Sequence, residues 1–156
     1  MTERLYYTDC YCREFRGHVV ERSADRVYLD RTAFYPTSGG QLCDTGTIGG
    51  AAVVEVIDEG ERIAHLVIAP VEADEVACSI DWPRRFDHMQ QHSGQHLLSS
   101  VFVERFGFET VGVHLGSESS TIDLDTAALA PDQVAAAEWR ANELVQENRS
   151  VTITFA

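Results

Sequence analysis

The sequence lacks long apolar stretches and is poor in basic residues. No apolar run approaches the roughly 20 residues of a membrane span, and the N-terminus MTERLYYTDC has no apolar signal-peptide core. Lys and Arg together number 12 against 25 Asp and Glu, so the formal net charge is −13 at pH 7. These absences predict a soluble cytoplasmic protein and argue against non-specific binding to a nucleic-acid backbone. Any such contact must be local, through pairs such as Arg84-Arg85 or Arg13 and Arg16, although basic pairs are usually solvated surface.

Cysteine is also scarce, and its spacing does not match a zinc motif. Cys10, Cys12, Cys43 and Cys78 form no Cys-x-x-Cys pair. Without a secretory signal, such cysteines are expected to be reduced and mostly buried. Cys10 and Cys12 would share one face of a strand, where they could contact a metal or pack, and packing is the favoured interpretation.

The first half of the 156 residues has the alternating apolar and polar pattern that predicts β-strands. Alternating segments at 13–32, 45–70 and 75–82 are separated by turn signals such as Gly-Gly and Asp-Glu-Gly. Several short strands at this spacing predict a small N-terminal β-barrel over residues 1–82.

After Pro83 the apolar pattern becomes helical and continues to about Arg105, where Gly107 is expected to end the helix. Two alternating strands at 110–116 and 119–125 follow, then a second helix at 130–150 and a closing strand, SVTITFA. The prediction is an α+β fold: a β-barrel domain at 1–82 and an α+β domain at 83–156, with an antiparallel sheet and two helices. Because the last strand is followed by no closing helix, we expect the second domain to be truncated.

The stretch HMQQHSGQH spaces His88, His92 and His96 four residues apart, which puts them on one helix face. Imidazoles on adjacent turns can chelate one zinc ion, yet the same pattern fits a solvated polar face. A second stretch, RTAFYPTSGGQLCDTG, places Gly39 and Gly40 in a tight loop, which alone would be a structural turn.

Together, RTAFYPTSGGQLCDTG and RRFDHMQQHSGQHLLS resemble the editing domain of alanyl-tRNA synthetases, and most of all the free-standing editing proteins called AlaX. The resemblance extends to two later segments, GVHLGSESSTIDLD and ELVQENRSVTI, and therefore covers essentially the whole chain. It implies a β-barrel followed by the α+β domain shared with threonyl-tRNA synthetase. It also implies a zinc-dependent hydrolase that removes serine or glycine wrongly attached to the tRNA for alanine. The partner would be the acceptor end of that tRNA.

The resemblance implies roles for particular residues. His92 and His96 would bind Zn²⁺, while His88 and Gln95 would be the catalytic groups beside it. Gly39, Gly40 and Gln41 would border the pocket for the aminoacyl end, and the Thr32 hydroxyl would contact the hydroxyl of a mischarged serine. Both motifs are expected to serve one pocket.

One departure from the family pattern concerns the metal. The family's second ligand pair, Cys-x-x-x-His, is absent, because no cysteine here is followed by histidine four residues later. The pair is expected beyond Ala156, and zinc on two histidines alone should bind weakly.

The chemistry around the histidines favours an ester substrate. Ser93 occupies the place of the glutamate base in the His-Glu-x-x-His motif of zinc proteases, which argues against peptide hydrolysis. Gln95 can orient a water or a carbonyl but cannot take a proton at neutral pH. A non-catalytic or truncated module of the same fold that binds tRNA or a partner is the alternative, and an unrelated metal hydrolase is a third. No ATP-binding aminoacylation core is found.

Overall fold

The computed structural model describes residues 1–116 and 119–152, which form ten strands, a 3₁₀ turn at Leu5–Tyr7 and two α-helices. The strands are β1 (Glu3–Arg4), β2 (Glu14–Ser23), β3 (Arg26–Leu29), β4 (Arg31–Thr32), β5 (Gly46–Ile48), β6 (Ala51–Asp58), β7 (Ile63–Val67), β8 (Glu75–Ile80), β9 (Thr110–Leu115) and β10 (Ser120–Leu124). The helices are α1 (Trp82–Phe106) and α2 (Pro131–Gln146).

Six strands close into a barrel in the order β2-β3-β7-β6-β5-β8, and every neighbouring pair is antiparallel. The long strand β2 starts and completes the circle, because Val19 pairs with Leu29 of β3 and Glu14 pairs with Ser79 of β8. Closure leaves the barrel without an open sheet edge, which explains how so many short strands are stabilised together. The predicted N-terminal β-barrel is confirmed.

Alternation along the strands fills the barrel interior. In β6, Ala51, Val53 and Val56 are buried, and the register shift between Val53 and Glu55 keeps Val56 on the inner face. The β2 and β3 pair has a similar shift between Val19 and Glu21. The core cluster of this barrel comprises Val27, Leu29, Ala33, Phe34, Cys43, Ile48, Ala51, Val53, Val56, Ile63, Val67, Val71, Val76, Cys78 and Ile80.

Helix α1 starts directly after the last barrel strand. Asp81 Oδ1 accepts the Arg84 backbone N–H at 3.4 Å and Asp81 Oδ2 accepts the Thr45 hydroxyl at 3.1 Å, so this carboxylate caps the first turn. Gly107, at φ 70°, ends the helix in the left-handed region. The helix therefore covers the predicted span and extends it slightly at both ends.

The chain divides into two compact units, residues 1–90 and 91–156, and the division falls within α1. The second unit contains the rest of α1, the antiparallel pair β9 and β10, and α2, with Val101, Phe102 and Ala137 as its buried centre. Pro131 starts α2, and the Ala130 backbone N–H donates to Gln133 Oε1 at 3.0 Å. Val151 and Thr152 belong to no strand, and the remainder of the predicted closing strand lies outside the described residues.

The chain thus has the predicted α+β fold, with a closed barrel followed by two helices and an antiparallel sheet. Neither α1 nor α2, the helices within the described residues, combines the length and apolar character needed to cross a membrane.

Candidate functional site

His92 and His96 form a stacked pair on α1. Their ring centroids are 5.0 Å apart and their planes differ by 17°. His92 is half-buried and His96 is exposed. Burial lowers the pKa of His92, and the charge of His96 lowers it further. A neutral imidazole is the form that binds a metal, so the lowered pKa of His92 favours ligation at neutral pH.

The pair matches zinc in the type of donor but supplies only part of a site. Imidazole nitrogen is a usual zinc ligand, and two imidazoles would fill half of a four-coordinate shell. Among residues 1–116 and 119–152 there is no group of three or more His, Cys, Asp and Glu side chains that could hold a metal. The described residues therefore fit one half of a zinc site.

Gln95 lies between the two histidines in sequence and is buried. Its side-chain amide donates to Ser99 Oγ at 2.9 Å, and Thr110 of β9 also donates its hydroxyl to Ser99 Oγ at 2.7 Å. These bonds connect α1 with β9 and orient the Gln95 amide, which leaves its carbonyl oxygen as the acceptor end.

His88 lies one turn before His92 on α1 and is only 4% exposed. Its Nδ1 is buried and has no hydrogen-bond partner among the described residues. Burial lowers the pKa of His88, and Arg84 lowers it further, so the charged form of the ring is disfavoured. A buried polar atom without a partner is uncommon in a native protein and marks a position where a water or ligand atom would be stabilised.

The Gly39-Gly40 loop is a two-residue hairpin. The Ser38 and Gln41 backbones exchange two hydrogen bonds of 3.0 Å each, and Gly39 and Gly40 have φ values of 59° and 80°. Two consecutive positive φ angles define a type I′ turn, which explains the glycine pair. Gln41 is buried.

Thr32 is fully buried in β4, where its hydroxyl joins two groups of the barrel core. Thr32 Oγ1 lies 2.8 Å from His65 Nε2 and accepts the Phe34 backbone N–H at 3.1 Å. His65 Nδ1 lies 3.0 Å from the Val27 carbonyl, which can only accept. His65 therefore carries its proton on Nδ1, and the Thr32 hydroxyl donates to Nε2. The predicted contact of Thr32 with substrate stays a prediction.

An ion pair between Arg85 and Asp44 was not foreseen from the sequence. Asp44 is fully buried and Arg85 is 3% exposed. Arg85 Nε lies 2.9 Å from both Asp44 carboxylate oxygens, and Arg85 Nη1 donates to the Cys10 carbonyl at 3.1 Å. The sequence placed Arg85 in a candidate surface patch, but burial of its guanidinium excludes that role.

The Arg85–Asp44 pair fixes the first turns of α1 to the segment that follows the glycine loop. Arg84 adds a second link, because its Nε donates to the Cys43 carbonyl at 3.0 Å. Asp44 also accepts the Tyr35 backbone N–H at 2.6 Å, which holds both sides of the loop together. Within residues 1–90, the structure therefore connects the glycine loop to the start of the helix that carries His88.

Comparison with known proteins identifies the family. No protein-family model matches the chain. The alanyl-tRNA editing protein AlaX-M of Methanosarcina acetivorans is 39% identical over 170 residues, which cover 98% of this chain and 69% of that protein. The chain belongs to the alanyl-tRNA editing protein family. This result confirms the resemblance drawn from the two motifs.

Longer members of the family also match. Alanyl-tRNA editing protein Aarsd1 of Danio rerio is 38% identical over 164 residues, or 94% of this chain and 40% of that protein. Aarsd1-B of Xenopus laevis is 43% identical over 162 residues, or 93% of this chain and 39% of that protein. The chain thus spans about two fifths of the length of these Aarsd1 relatives.

Proposed function

We propose that the chain is a cytoplasmic trans-editing hydrolase that cleaves the ester of serine or glycine mischarged on the tRNA for alanine. Its relatives are named alanyl-tRNA editing proteins, which supports tRNA as partner. The observation that carries the proposal is the stacked pair His92 and His96 on α1 of a chain in this family. No ATP site is expected, because hydrolysis of an ester requires no activation of the amino acid.

The second part of the proposal is that His92 and His96 are two of the ligands of a bound Zn²⁺. When bound, zinc polarises an ester carbonyl and lowers the pKa of its water towards ~7. The lowered pKa of His92 supports this role, because an uncharged imidazole needs no proton removed before it binds the ion.

Two further side chains would serve the reaction. The Gln95 amide is oriented by Ser99, so its carbonyl oxygen can accept a hydrogen bond from the attacking water. Burial lowers the pKa of His88 and its Nδ1 has no described partner, so this atom would form a hydrogen bond with a water or a substrate group. Since Ser93 replaces a carboxylate base, the more reactive ester is the bond that this set of groups can cleave.

The aminoacyl end would be bound by the loop of Gly39, Gly40 and Gln41. The type I′ turn brings main chain without side chains to the surface, which allows close approach of a ligand. Thr32 would recognise a serine hydroxyl through the second lone pair of Oγ1, because the Phe34 N–H uses the first and its own hydrogen points to His65.

The experiment is deacylation of Ser-, Gly- and Ala-tRNA, all on the tRNA for alanine, by the zinc-loaded protein. We expect Ser-tRNA and Gly-tRNA to be cleaved and Ala-tRNA to be spared, with at least a hundredfold loss of rate in His92→Ala and His96→Ala. His114→Ala, which removes an exposed histidine elsewhere, serves as the control. Cleavage of Ser-tRNA at the parent rate by His92→Ala would show that the metal role is wrong.

The alternative is a non-catalytic module of the same fold that binds tRNA or a protein partner. It is favoured by the finding that no third metal-binding side chain joins His92 and His96 within the described residues. This alternative predicts tight binding of the tRNA for alanine with no deacylation at saturating zinc. Measuring binding and hydrolysis on the same protein preparation separates the two functions.

A further inference from the structure

Three aromatic rings form a row on the unit of residues 1–90. The ring centroids of Tyr11 and Trp82 are 5.6 Å apart with planes 42° apart. The centroids of Trp82 and Phe86 are also 5.6 Å apart, with planes 31° apart. Tyr11 is 56% exposed and Phe86 is 39% exposed. We call Tyr11, Trp82 and Phe86 the aromatic platform.

The local backbone fixes this platform at the surface. Trp82 and Phe86 are four residues apart at the start of α1, so their side chains lie on one helix face. Asp9 Oδ1 accepts the Tyr11 backbone N–H at 2.9 Å, which shapes the turn that presents Tyr11. None of the three rings belongs to the barrel core cluster. The exposed parts of the Tyr11 and Phe86 rings are therefore not required to fill the barrel.

Positive charge accompanies the platform. The Arg13 guanidinium carbon lies 4.1 Å from the centroid of the Trp82 ring. Arg13 makes no ion pair with any described residue, and neither does Arg84, which follows Trp82 by two residues. The other arginines of residues 1–90 all pair with a carboxylate: Arg4, Arg16, Arg22, Arg26, Arg31, Arg62 and Arg85.

This distribution is informative because the chain is strongly acidic, with 25 Asp and Glu against 12 basic residues. Of the carboxylates close in sequence, Asp9 accepts the Tyr11 backbone N–H, and Asp81 accepts the Thr45 hydroxyl and the Arg84 backbone N–H. Glu14 and Asp87 are exposed, and neither forms an ion pair with Arg13 or Arg84. An arginine without a carboxylate partner, stacked over a row of partly exposed rings, has the chemistry of a site for an aromatic anion.

We propose that the aromatic platform binds unpaired nucleotides of RNA, with bases stacking on the rings of Tyr11 and Phe86 and with a phosphate contacting Arg13. Base stacking on aromatic side chains is tolerant of sequence, and arginine adds both cation–π and phosphate contacts. The proposal rests on the proposed function, because the aminoacyl end of a tRNA is single-stranded. It also explains how a protein of net charge −13 binds RNA, through a local site rather than a broad basic surface.

The fluorescence of Trp82 can be used to measure binding at the aromatic platform. The chain has two tryptophans, so a Trp139→Phe background leaves Trp82 as the one indole that emits. We would titrate this protein with a single-stranded RNA of about 10 nucleotides, with the same sequence as a duplex, and with inorganic polyphosphate. Saturable quenching is expected with the single strand, and at least tenfold weaker binding is expected with the other two.

Variants then assign the contacts. Tyr11→Ala and Phe86→Ala should each weaken binding of the single strand about tenfold, since each removes one stacking face. Arg13→Gln should weaken it about fivefold, whereas Arg16→Gln should not change it, because Arg16 is exposed but paired with Glu75 at 3.4 Å. If Phe86→Ala does not fold, Phe86→Leu removes the ring and keeps an apolar side chain at that position.

Two results would overturn the proposal. One is an absence of quenching by the single strand, and the other is equal binding of polyphosphate or duplex, which would indicate charge without stacking. The test uses uncharged RNA and is independent of hydrolysis. Loss of deacylation with platform binding retained would count against the proposed hydrolase alone, while normal deacylation with no platform binding would count against the platform alone.

Discussion

Residues 1–90 and residues 91–156 differ in how deeply their functional and polar side chains are buried. In the first unit, fifteen apolar residues form one core cluster, and Thr32, Asp44, His65 and Arg85 are buried with hydrogen-bond partners. In the described part of the second unit, three residues form the buried cluster, and its histidines His92 and His96 remain half-buried or exposed.

The comparison separates polar residues that stabilise the fold from those that remain available for chemistry. A buried charge or imidazole with every partner supplied by the protein contributes to stability and cannot readily bind anything else. Half-buried imidazoles in a unit with a small buried cluster can bind a ligand with little loss of folding stability. His88 has features of both classes, because it is buried in the first unit and its Nδ1 has no described partner.

The largest effect is expected at the buried ion pair. Asp44→Ala should lower the free energy of unfolding by about 3–5 kcal/mol, because it leaves the Arg85 guanidinium buried without its carboxylate. Glu3→Ala is the matched control, since the Arg31–Glu3 pair has side chains 46% and 57% exposed and should contribute at most about 1 kcal/mol. Urea unfolding of both variants measures the difference. Equal losses would contradict the assignment of Asp44 to the structural class.

His65 should make the stability depend on pH. Burial lowers its pKa to about 4, against an ordinary value near 6.5 in the unfolded chain. Between these values the unfolded chain binds the proton and the folded chain does not, so stability is present above about pH 6.5 and is lost as the pH falls towards 4. The loss from this group should be about 3 kcal/mol.

Unfolding midpoints measured from pH 7 to pH 4 test this dependence. His65→Gln removes the titrating group and should flatten the curve within that window. His18→Gln, at an exposed position of β2, is the control for the removal of one imidazole. An unchanged slope in His65→Gln would show that other groups cause the acid sensitivity.

Thr32→Val should lower the free energy of unfolding by about 1–3 kcal/mol, because it leaves His65 Nε2 and the Phe34 N–H buried without a partner. Thr32→Ser keeps the hydroxyl and should retain most of the stability. Thermal unfolding of both variants gives the comparison. A Val variant as stable as the Ser variant would mean that the hydroxyl is not required by the barrel, which would strengthen its proposed role towards serine.

The smallest effect on stability is expected at the stacked histidines. His96→Ala should change the free energy of unfolding by no more than about 0.5 kcal/mol, because the side chain is exposed and alanine favours a helix. Urea unfolding without added metal measures it. A loss comparable to that of Thr32→Val would place His96 among the structural residues.

Local patterns in the sequence were sufficient for the elements of the fold. The alternation at 13–32 and 75–82 gave barrel strands, and the 3.6-residue period after Pro83 gave α1, because these signals depend on neighbouring residues. The stacking of His92 on His96 also follows from their spacing on a helix.

Contacts between distant residues could not be predicted in this way. Arg85 and Asp44 are 41 residues apart, and Thr32 and His65 are 33 apart. Nothing in either local segment indicates the partner, and the doublet Arg84-Arg85 looks like solvated surface. No signal in the segment QLCDTG marks Asp44 as buried, since the segment is itself partly polar and the need of a buried carboxylate for a cation becomes visible only in the fold.

Calorimetric titration with zinc tests the metal site most directly. The titration would use the 156-residue chain, its His92→Ala variant and the exposed-histidine control His114→Ala. We expect one weakly bound zinc per chain in the parent and in His114→Ala, and loss of that binding in His92→Ala while the circular dichroism spectrum is unchanged. Zinc binding of the same affinity and stoichiometry in His92→Ala would contradict the assignment of His92 and His96 as metal ligands.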